Sequence, residues 1–177
     1  MVKLKNAIFF QITWFACVFG SAHNLIWPGL LCCLAFTIWQ LSPDRRHSND
    51  FKLTFWACII GAAIDTAWIH LDLFTYKHSW PHSNVAPAWI IALWLAFSLT
   101  INHSLQWLRL HPLLPALMGL IGAPLSYWAG QRIGAIGFTE KPLLALICLA
   151  LTWALVLSFL FHKNQQDSSR PRPYRDS

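Results

Sequence analysis

The stretch LTFWACIIGAAIDTAWIHLDLFT, residues 53–75, decides the fold because it is long and apolar enough to cross a membrane as a helix. A helical span needs about 20 mostly apolar residues. The stretch nevertheless contains Asp65, His70 and Asp72. It therefore predicts a membrane-spanning helix that carries polar groups at defined depths.

Apolar blocks of this kind fill most of the chain. Of its 177 residues, 56% are hydrophobic and only 11% are charged, whereas about 25% are charged in an ordinary soluble domain. The composition predicts an all-α integral membrane protein, a bundle of about six transmembrane helices that forms a single domain over residues 1–162. The expected spans are about 6–22, 25–41, 51 or 53 to 75, 86–108, 111 or 112 to 130, and 142–161.

The two ends of the chain need separate interpretations. The first block follows Lys3 and Lys5 and precedes GSA at 20–22, a pattern that also fits a cleaved signal peptide. Gln11 and Trp14 inside the block favour its retention as a span. The last segment, KNQQDSSRPRPYRDS at 163–177, is polar and contains proline, which predicts a disordered cytoplasmic tail.

The distribution of basic residues predicts the orientation. Loops on the cytoplasmic side of a membrane protein are enriched in Lys and Arg. With the N-terminus inside, ten of the 13 basic residues lie on the cytoplasmic side, and only Lys77, Arg132 and Lys141 lie outside. Both termini are therefore expected in the cytoplasm. Because the basic residues separate apolar blocks and form no continuous face, the net charge of +6 does not indicate nucleic acid binding.

The sequence contains no recognised cofactor or metal motif. His78 and His82 have a metal-compatible spacing, but Pro81 interrupts any helix there and no third ligand is near. Nucleotide-binding and serine-hydrolase signatures are absent from the sequence. No metal and no cofactor are expected. The five cysteines lie inside apolar blocks and read as small buried side chains, at positions 17, 32, 33, 58 and 148.

Asp65 is the polar residue that the membrane interpretation explains least. At about 1.5 Å per residue it lies about 18 Å from Leu53, close to the middle of the bilayer. Charged groups at that depth usually face the bundle interior and often mark function. Asp72 lies about 28 Å along the same helix, so Asp72 and His70 are assigned to the outer rim. The small residues at 61–63 permit close approach of another helix.

The fifth block offers two partners for Asp65. Measured from Pro112, Tyr127 lies at about 22 Å, within one helical turn of the depth of Asp65. Arg132 lies farther out, but its long side chain can reach inward. Pairing of Asp65 with Tyr127, and of Asp72 with Arg132, is geometrically allowed. The sequence leaves open which of Tyr127 and Arg132 reaches Asp65.

Three further residues are candidates for function. His103 lies near the inner end of the fourth block, about 10 Å closer to the cytoplasm than Asp65, and is either part of a hydrogen-bonded structure or an acid–base group. Trp89 and Trp94 either line a groove or pack against lipid and protein. The candidate polar residues are therefore Asp65, His103, Tyr127 and Arg132, and the candidate groove-lining residues are Trp89 and Trp94.

Four motifs resemble one known family. WFACVFGSA at 14–22, GAAIDTA at 61–67, PAWIIALWLAFSLTINHSLQWL at 87–108 and GAPLSYWAGQRIGA at 122–135 resemble the DUF2878 family of uncharacterised bacterial inner-membrane proteins. The resemblance extends to about Phe161 and covers all six candidate residues. It implies a multi-pass protein of the bacterial inner membrane. Through the gene neighbourhoods of that family it also implies an association with fatty-acid modification, which assigns no reaction.

Three functions stay open at this point, beside the possibility of a structural or assembly subunit. The first is a protein that binds or moves a lipid or small hydrophobic molecule, in envelope lipid remodelling. The second is a membrane-embedded enzyme of fatty-acid or lipid modification, with Asp65 or His103 as acid or base. The third is a proton-coupled transporter in which Asp65 carries the proton. Membrane lipids are the expected partners, nucleic acid is not, and the sequence does not decide between a monomer and a homo-oligomer.

Overall fold

The structure, a computed structural model, describes residues 2–169, with side chains as far as residue 164. Each of the six predicted blocks contains one α-helix, which confirms the prediction of a helical chain. In chain order the elements are α1 (Val2–Ala22), α2 (Trp27–Gln40), α3 (Asp50–His70), β1 (Phe74–Tyr76), α4 (Ala88–Ile101), a 3-10 helix (Gln106–Leu110), α5 (Leu114–Ile133), β2 (Ile136–Phe138) and α6 (Pro142–Ser169).

Among the residues that the structure describes, three helices are long and apolar enough to cross a membrane. They are α1, α3 and the part of α6 over residues 142–164. The apolar helices α2 and α4 have 14 residues each, which corresponds to about 21 Å. Helix α5 has 20 residues and continues through Pro124 without a break.

The third predicted span ends earlier than expected, and a strand follows it. Helix α3 ends at His70 rather than near Thr75, and Asp72 adopts a left-handed backbone with φ 55°. Strand β1 then pairs antiparallel with β2, with Phe74 opposite Phe138 and Tyr76 opposite Ile136. Successive side chains of a strand point to opposite faces, so Phe74 and Tyr76 are buried while Thr75 is exposed. This small two-stranded sheet is an addition to the predicted helical fold.

The helix in the fourth predicted block also ends early. Helix α4 stops at Ile101, although apolar residues continue to Leu108. Asn102, His103 and Ser104 leave the helix and bond to the polar groups Asp50 and Asn6 on other helices. These bonds replace the helical continuation, and the chain then forms the 3-10 helix before α5.

The helices pack in two groups. Helix α4 lies against α1, α2 and α3, while α5 pairs with α6. The backbones of α5 and α6 approach so closely at Gly119 that a Cβ there would overlap the carbonyl of Trp153. The side chains of α4 form much of the core, with Trp89, Leu99 and Ile101 almost fully buried. The two groups meet on one side of α4, where the candidate site lies.

Helix α6 extends past the predicted end of the transmembrane domain. It continues to Ser169, so the predicted tail of residues 163–177 begins within a helix. The prediction of disorder for residues 170–177 lies outside the described residues.

Candidate functional site

Asp65 lies at the centre of a cluster of aromatic hydrogen-bond donors. Its carboxyl is fully buried, at 0% exposure. Oδ1 accepts from the hydroxyls of Tyr76 at 2.5 Å and Tyr127 at 2.6 Å. Oδ2 accepts from the indole Nε1 of Trp94 at 2.7 Å. The donors come from β1, α5 and α4, so this one side chain on α3 connects four elements of the fold.

Gly61 permits this arrangement on α3. It lies one turn before Asp65, and a Cβ at this position would overlap the ring of Trp94. The absence of a side chain therefore allows Trp94 to lie against α3 and reach the carboxyl. On its other side, the Trp94 ring stacks on Trp153 of α6, with ring centroids 4.4 Å apart and planes inclined by 14°.

Tyr76 was not among the residues predicted from the sequence. It lies beyond the end of α3, in a strand whose pairing brings its side chain back into the bundle. Burial, with a further contribution from Asp65, raises the pKa of Tyr76 well above its usual value near 10. Tyr76 therefore keeps its proton and acts as a donor to Asp65 at neutral pH.

Of the two partners considered for Asp65, the structure brings Tyr127 to it and not Arg132. The Arg132 side chain is exposed, and its guanidinium lies 5.5 Å from the ring centroid of Trp128. Asp72 is also exposed, and its carbonyl accepts a hydrogen bond from the hydroxyl of Thr139. The allowed pairing of Asp72 with Arg132 is not among the contacts of the described residues.

A cavity of about 490 Å³ lies between α1, α4, α5 and α6. Trp89, Trp94 and Tyr127 all contribute to its wall, so two donors to Asp65 also face the cavity. Asp65 itself lies behind them. No charged side chain lines the cavity among the described residues. Ligand sites in proteins are commonly 300–1,000 Å³ and mostly apolar, with a few polar groups, so size and lining fit a hydrophobic ligand.

The cavity reaches the surface where α1 faces α5. Phe15 on α1 and Leu125 on α5 line it and are 46% and 58% exposed. Across the same seam, the indole Nε1 of Trp14 donates to Ser126 Oγ at 3.0 Å. The seam is thus formed by a few side chains, because α1 packs mainly on α2 and α4.

His103 belongs to a second cluster, built around Asp50 at the start of α3. Asp50 is 1% exposed. It accepts from the His47 amide at 2.7 Å, Asn102 Nδ2 at 2.8 Å and His103 Nε2 at 2.9 Å. The ring of His103 also meets the buried Gln40, whose Nε2 lies 3.3 Å from His103 Nδ1 and 3.1 Å from His103 Nε2.

Gln40 connects His103 to α1 and to the loop after α2. Asn6 donates to the carbonyl of Leu99 and to Gln40 Oε1, at 3.0 and 2.7 Å. Gln40 Nε2 in turn donates to the carbonyl of Arg45. Gln40 Nε2 therefore lies within hydrogen-bonding distance of both ring nitrogens of His103, and His103 Nε2 also contacts Asp50 Oδ2. Both ring nitrogens thus face protein groups.

The same cluster extends to α6 and to the 3-10 helix. Asn164 donates to Asn102 Oδ1 at 2.5 Å, and Arg109 donates to the same oxygen. Burial lowers the pKa of Arg109 from its usual value, and Asp50 partly offsets that effect. Polar side chains from α1, α2, α3, α6 and the segment after α4 thus meet at one end of the bundle.

The described residues contain no group of three His, Cys, Asp or Glu side chains that could hold a metal ion. The model of the family described as "Protein of unknown function (DUF2878)" matches residues 3–159 of the chain. This match confirms the resemblance seen in the sequence motifs, and it includes Asp65, the cavity and all of the Asp50 cluster except Asn164. No curated protein and no solved structure matches the chain.

Proposed function

The chain belongs to the DUF2878 family, and from that premise we propose that it is a multi-pass protein of the bacterial inner membrane that binds a lipid or small hydrophobic molecule. The bundle of six helices spans the membrane, with both termini in the cytoplasm. The ligand occupies the cavity between α1, α4, α5 and α6, and binding or moving it contributes to remodelling of envelope lipids.

The single observation that carries this proposal is the uncharged cavity of about 490 Å³, which opens between two apolar helices. Apolar ligands gain about 25 cal/mol for each Å² of apolar surface removed from water, but a lipid already lies in an apolar phase. Selective binding must therefore come from shape and from the few polar atoms of the wall. The aromatic rings of Trp89, Trp94 and Trp153 provide rigid surfaces for this purpose.

The Asp65 cluster has a positioning role in this proposal. Its hydrogen bonds fix Trp94 and Tyr127, which lie on two different helices and form adjacent parts of the cavity wall. A buried carboxyl that accepts three hydrogen bonds is satisfied and rigid. The cavity shape thus depends on Asp65 although Asp65 does not line the cavity.

The enzyme and transporter hypotheses have no separate support in the described residues. Both ring nitrogens of His103 are bonded to protein groups, so His103 does not offer a free base. Asp65 is enclosed by Tyr76, Tyr127 and Trp94. A proton carrier needs access to water or substrate, which that enclosure does not supply.

A cavity-filling substitution tests the proposal. Gly122 lines the cavity, and a Cβ there would meet only Met118 Cγ, at 3.8 Å. Gly122→Phe should therefore fill the space while the helix stays intact. Ile121→Phe, at an adjacent exposed position outside the cavity, is the matched control.

The measurement is mass spectrometry of the lipids and small molecules that copurify with each variant in mild detergent. We expect the wild type and Ile121→Phe to retain the same defined species, and Gly122→Phe to lose it. Unselective lipid content that is identical in all three proteins would overturn the proposal.

A further inference from the structure

Gln11 is a polar side chain whose position the fold itself does not explain. It lies next to the midpoint of α1, about 14 Å from Val2 at 1.5 Å per residue. It lines the cavity and is exposed. Within residues 2–169 its amide makes no hydrogen bond to another protein group. A primary amide without a hydrogen-bond partner is strongly unfavourable in an apolar layer.

Ser126 supplies a second unused donor at the same place. Its Oγ accepts from Trp14 on α1, but its own hydroxyl proton has no acceptor among the described residues. Trp14 lies three residues after Gln11, on the same face of α1. Gln11 and Ser126 therefore lie within about one helical turn of each other, at the seam between α1 and α5.

We propose that Gln11 and Ser126 form a recognition point for a neutral carbonyl group on an otherwise apolar ligand, either a fatty ester or a quinone. This inference rests on the proposed function. Two adjacent donors, an amide N–H and a hydroxyl, are complementary to a carbonyl oxygen. The group is neutral because no charged side chain lines the cavity, and an ionised carboxylate or a phosphate there would be buried without a counter-charge.

The depth of Gln11 further restricts the ligand. Gln11 lies about 7.5 Å into the span expected from residue 6, inside the apolar layer but in its cytoplasmic half. A carbonyl bound there lies in the same half of the layer, and the rest of an apolar ligand extends toward the other half. Trp14, Phe97 and Trp153 are among the aromatic side chains that line the same cavity.

Quenching of tryptophan fluorescence tests this inference, because Trp14, Trp89, Trp94 and Trp153 line the cavity. Purified protein in detergent is titrated with dibrominated octadecane, the methyl ester of dibromostearic acid, ionised dibromostearic acid and decylubiquinone. The variants are Gln11→Leu, Ser126→Ala and the cavity-filled Gly122→Phe, with Ile12→Leu as a matched control on the exposed face of α1.

In the wild type we expect the ester or the quinone to bind about fivefold to tenfold more tightly than the brominated alkane, the ratio that one additional hydrogen bond supplies. Gln11→Leu should abolish this preference without weakening alkane binding, and Ser126→Ala should reduce it. Ile12→Leu should behave like the wild type. A preference for only one of the two carbonyl probes identifies the source of the carbonyl.

Two results would overturn the inference. The wild type could bind the alkane, the ester and the quinone with equal affinity, or the preference for a carbonyl could survive in Gln11→Leu. Either result would show that Gln11 and Ser126 do not recognise a carbonyl, while hydrophobic binding would still stand. Probes that bind in the cavity should quench tryptophan fluorescence in the wild type and not in Gly122→Phe. If no probe behaves in this way, the proposed function fails as well. Tighter binding of the ionised acid than of its ester would show that the site accepts charge and would also contradict the inference.

Discussion

The hydroxyl of Tyr127 on α5 donates to Oδ1 of Asp65 on α3 across 2.6 Å, joining residues 62 positions apart in the chain. Tyr127 belongs to the helix pair α5–α6, and Asp65 to the group of helices around α4. The bond therefore crosses the boundary between the two groups, directly behind the cavity wall. Several measurable properties depend on it.

Asp65→Asn is expected to lower the free energy of unfolding by about 1–3 kcal/mol. The amide that replaces one carboxyl oxygen cannot accept, so one buried donor among Trp94, Tyr76 and Tyr127 loses its acceptor. The measurement is thermal unfolding in detergent. Asp72→Asn is the control, since Asp72 is exposed and asparagine tolerates its left-handed backbone. An unchanged melting temperature in Asp65→Asn would refute the prediction.

Tyr76 should resist deprotonation in the folded protein. Because its folded pKa lies well above the usual value near 10, the unfolded state loses this proton first as the pH rises. The contribution to stability is therefore complete below about pH 10 and declines above it. The measurement is the tyrosinate absorbance of the wild type minus that of Tyr76→Phe. At pH 10 this difference should stay near zero in the folded proteins and should appear after denaturation. A normal titration of Tyr76 in the folded state would contradict its burial.

His103→Ala is expected to destabilise the protein by about 1–3 kcal/mol without changing ligand binding. The substitution leaves Asp50 Oδ2 and the amide of Gln40 without this partner, and His103 does not line the cavity. Thermal unfolding and the quenching titration measure the two effects separately. His103→Gln, which can still donate to Asp50, should recover part of the stability. Loss of ligand affinity in a well-folded His103→Ala protein would instead place His103 in the binding site.

Two glycines on α5 should respond in opposite ways to alanine. A Cβ at Gly119 overlaps the Trp153 carbonyl, whereas a Cβ at Gly122 meets nothing closer than 3.8 Å. Gly119→Ala should therefore separate α5 from α6 and cost about 1–3 kcal/mol. Gly122→Ala should be neutral or stabilising by up to about 1 kcal/mol, from the higher helix propensity of alanine. Equal melting temperatures of the two variants would show that α5 and α6 are not in close contact at Gly119.

Fusion reporters test the topology. With both termini in the cytoplasm, a C-terminal fluorescent protein should be bright and a C-terminal alkaline phosphatase inactive. A cysteine introduced at Ser83, in the exposed loop before α4, should react with a membrane-impermeant maleimide in cells with a permeabilised outer membrane. An active C-terminal phosphatase would place the C-terminus outside and contradict the proposed orientation. A loop cysteine that does not react with the maleimide would contradict it as well.

Depth along a helix was enough to predict part of the site. Counting residues at 1.5 Å each placed Tyr127 near the level of Asp65, and these two side chains are bonded in the structure. Depth along a helix does not predict the position of Tyr76. Its position depends on the pairing of β1 with β2, and two three-residue strands so far apart in sequence carry no periodic signal.

The Asp50 cluster was missed although its residues gave a signal. Five polar residues of this cluster lie close to the ends of apolar blocks that the predicted topology places on the cytoplasmic side, namely Asn6, Gln40, Asp50, Asn102 and Asn164. Taken one at a time they resemble ordinary interfacial residues. A third span that begins at Phe51 or Leu53 excludes Asp50, which is the partner of His103. Grouping polar residues by side and depth would have predicted their meeting.

The pairing of β1 with β2 has a mechanical consequence for the proposed cavity. This pairing joins the segment after α3 to the segment after α5. At the opposite end of the bundle, a hydrogen bond from Asn164 joins α6 to Asn102. The α5–α6 hairpin is thus tethered at both ends and resists rocking as a rigid body. Helix α1 is held by α2 and α4, but it meets α5 over only a few side chains, so the least closed part of the cavity wall is the seam between α1 and α5. A ligand would therefore exchange sideways past Trp14, through side-chain movement at this seam, and not by alternate opening of the bundle to its two ends.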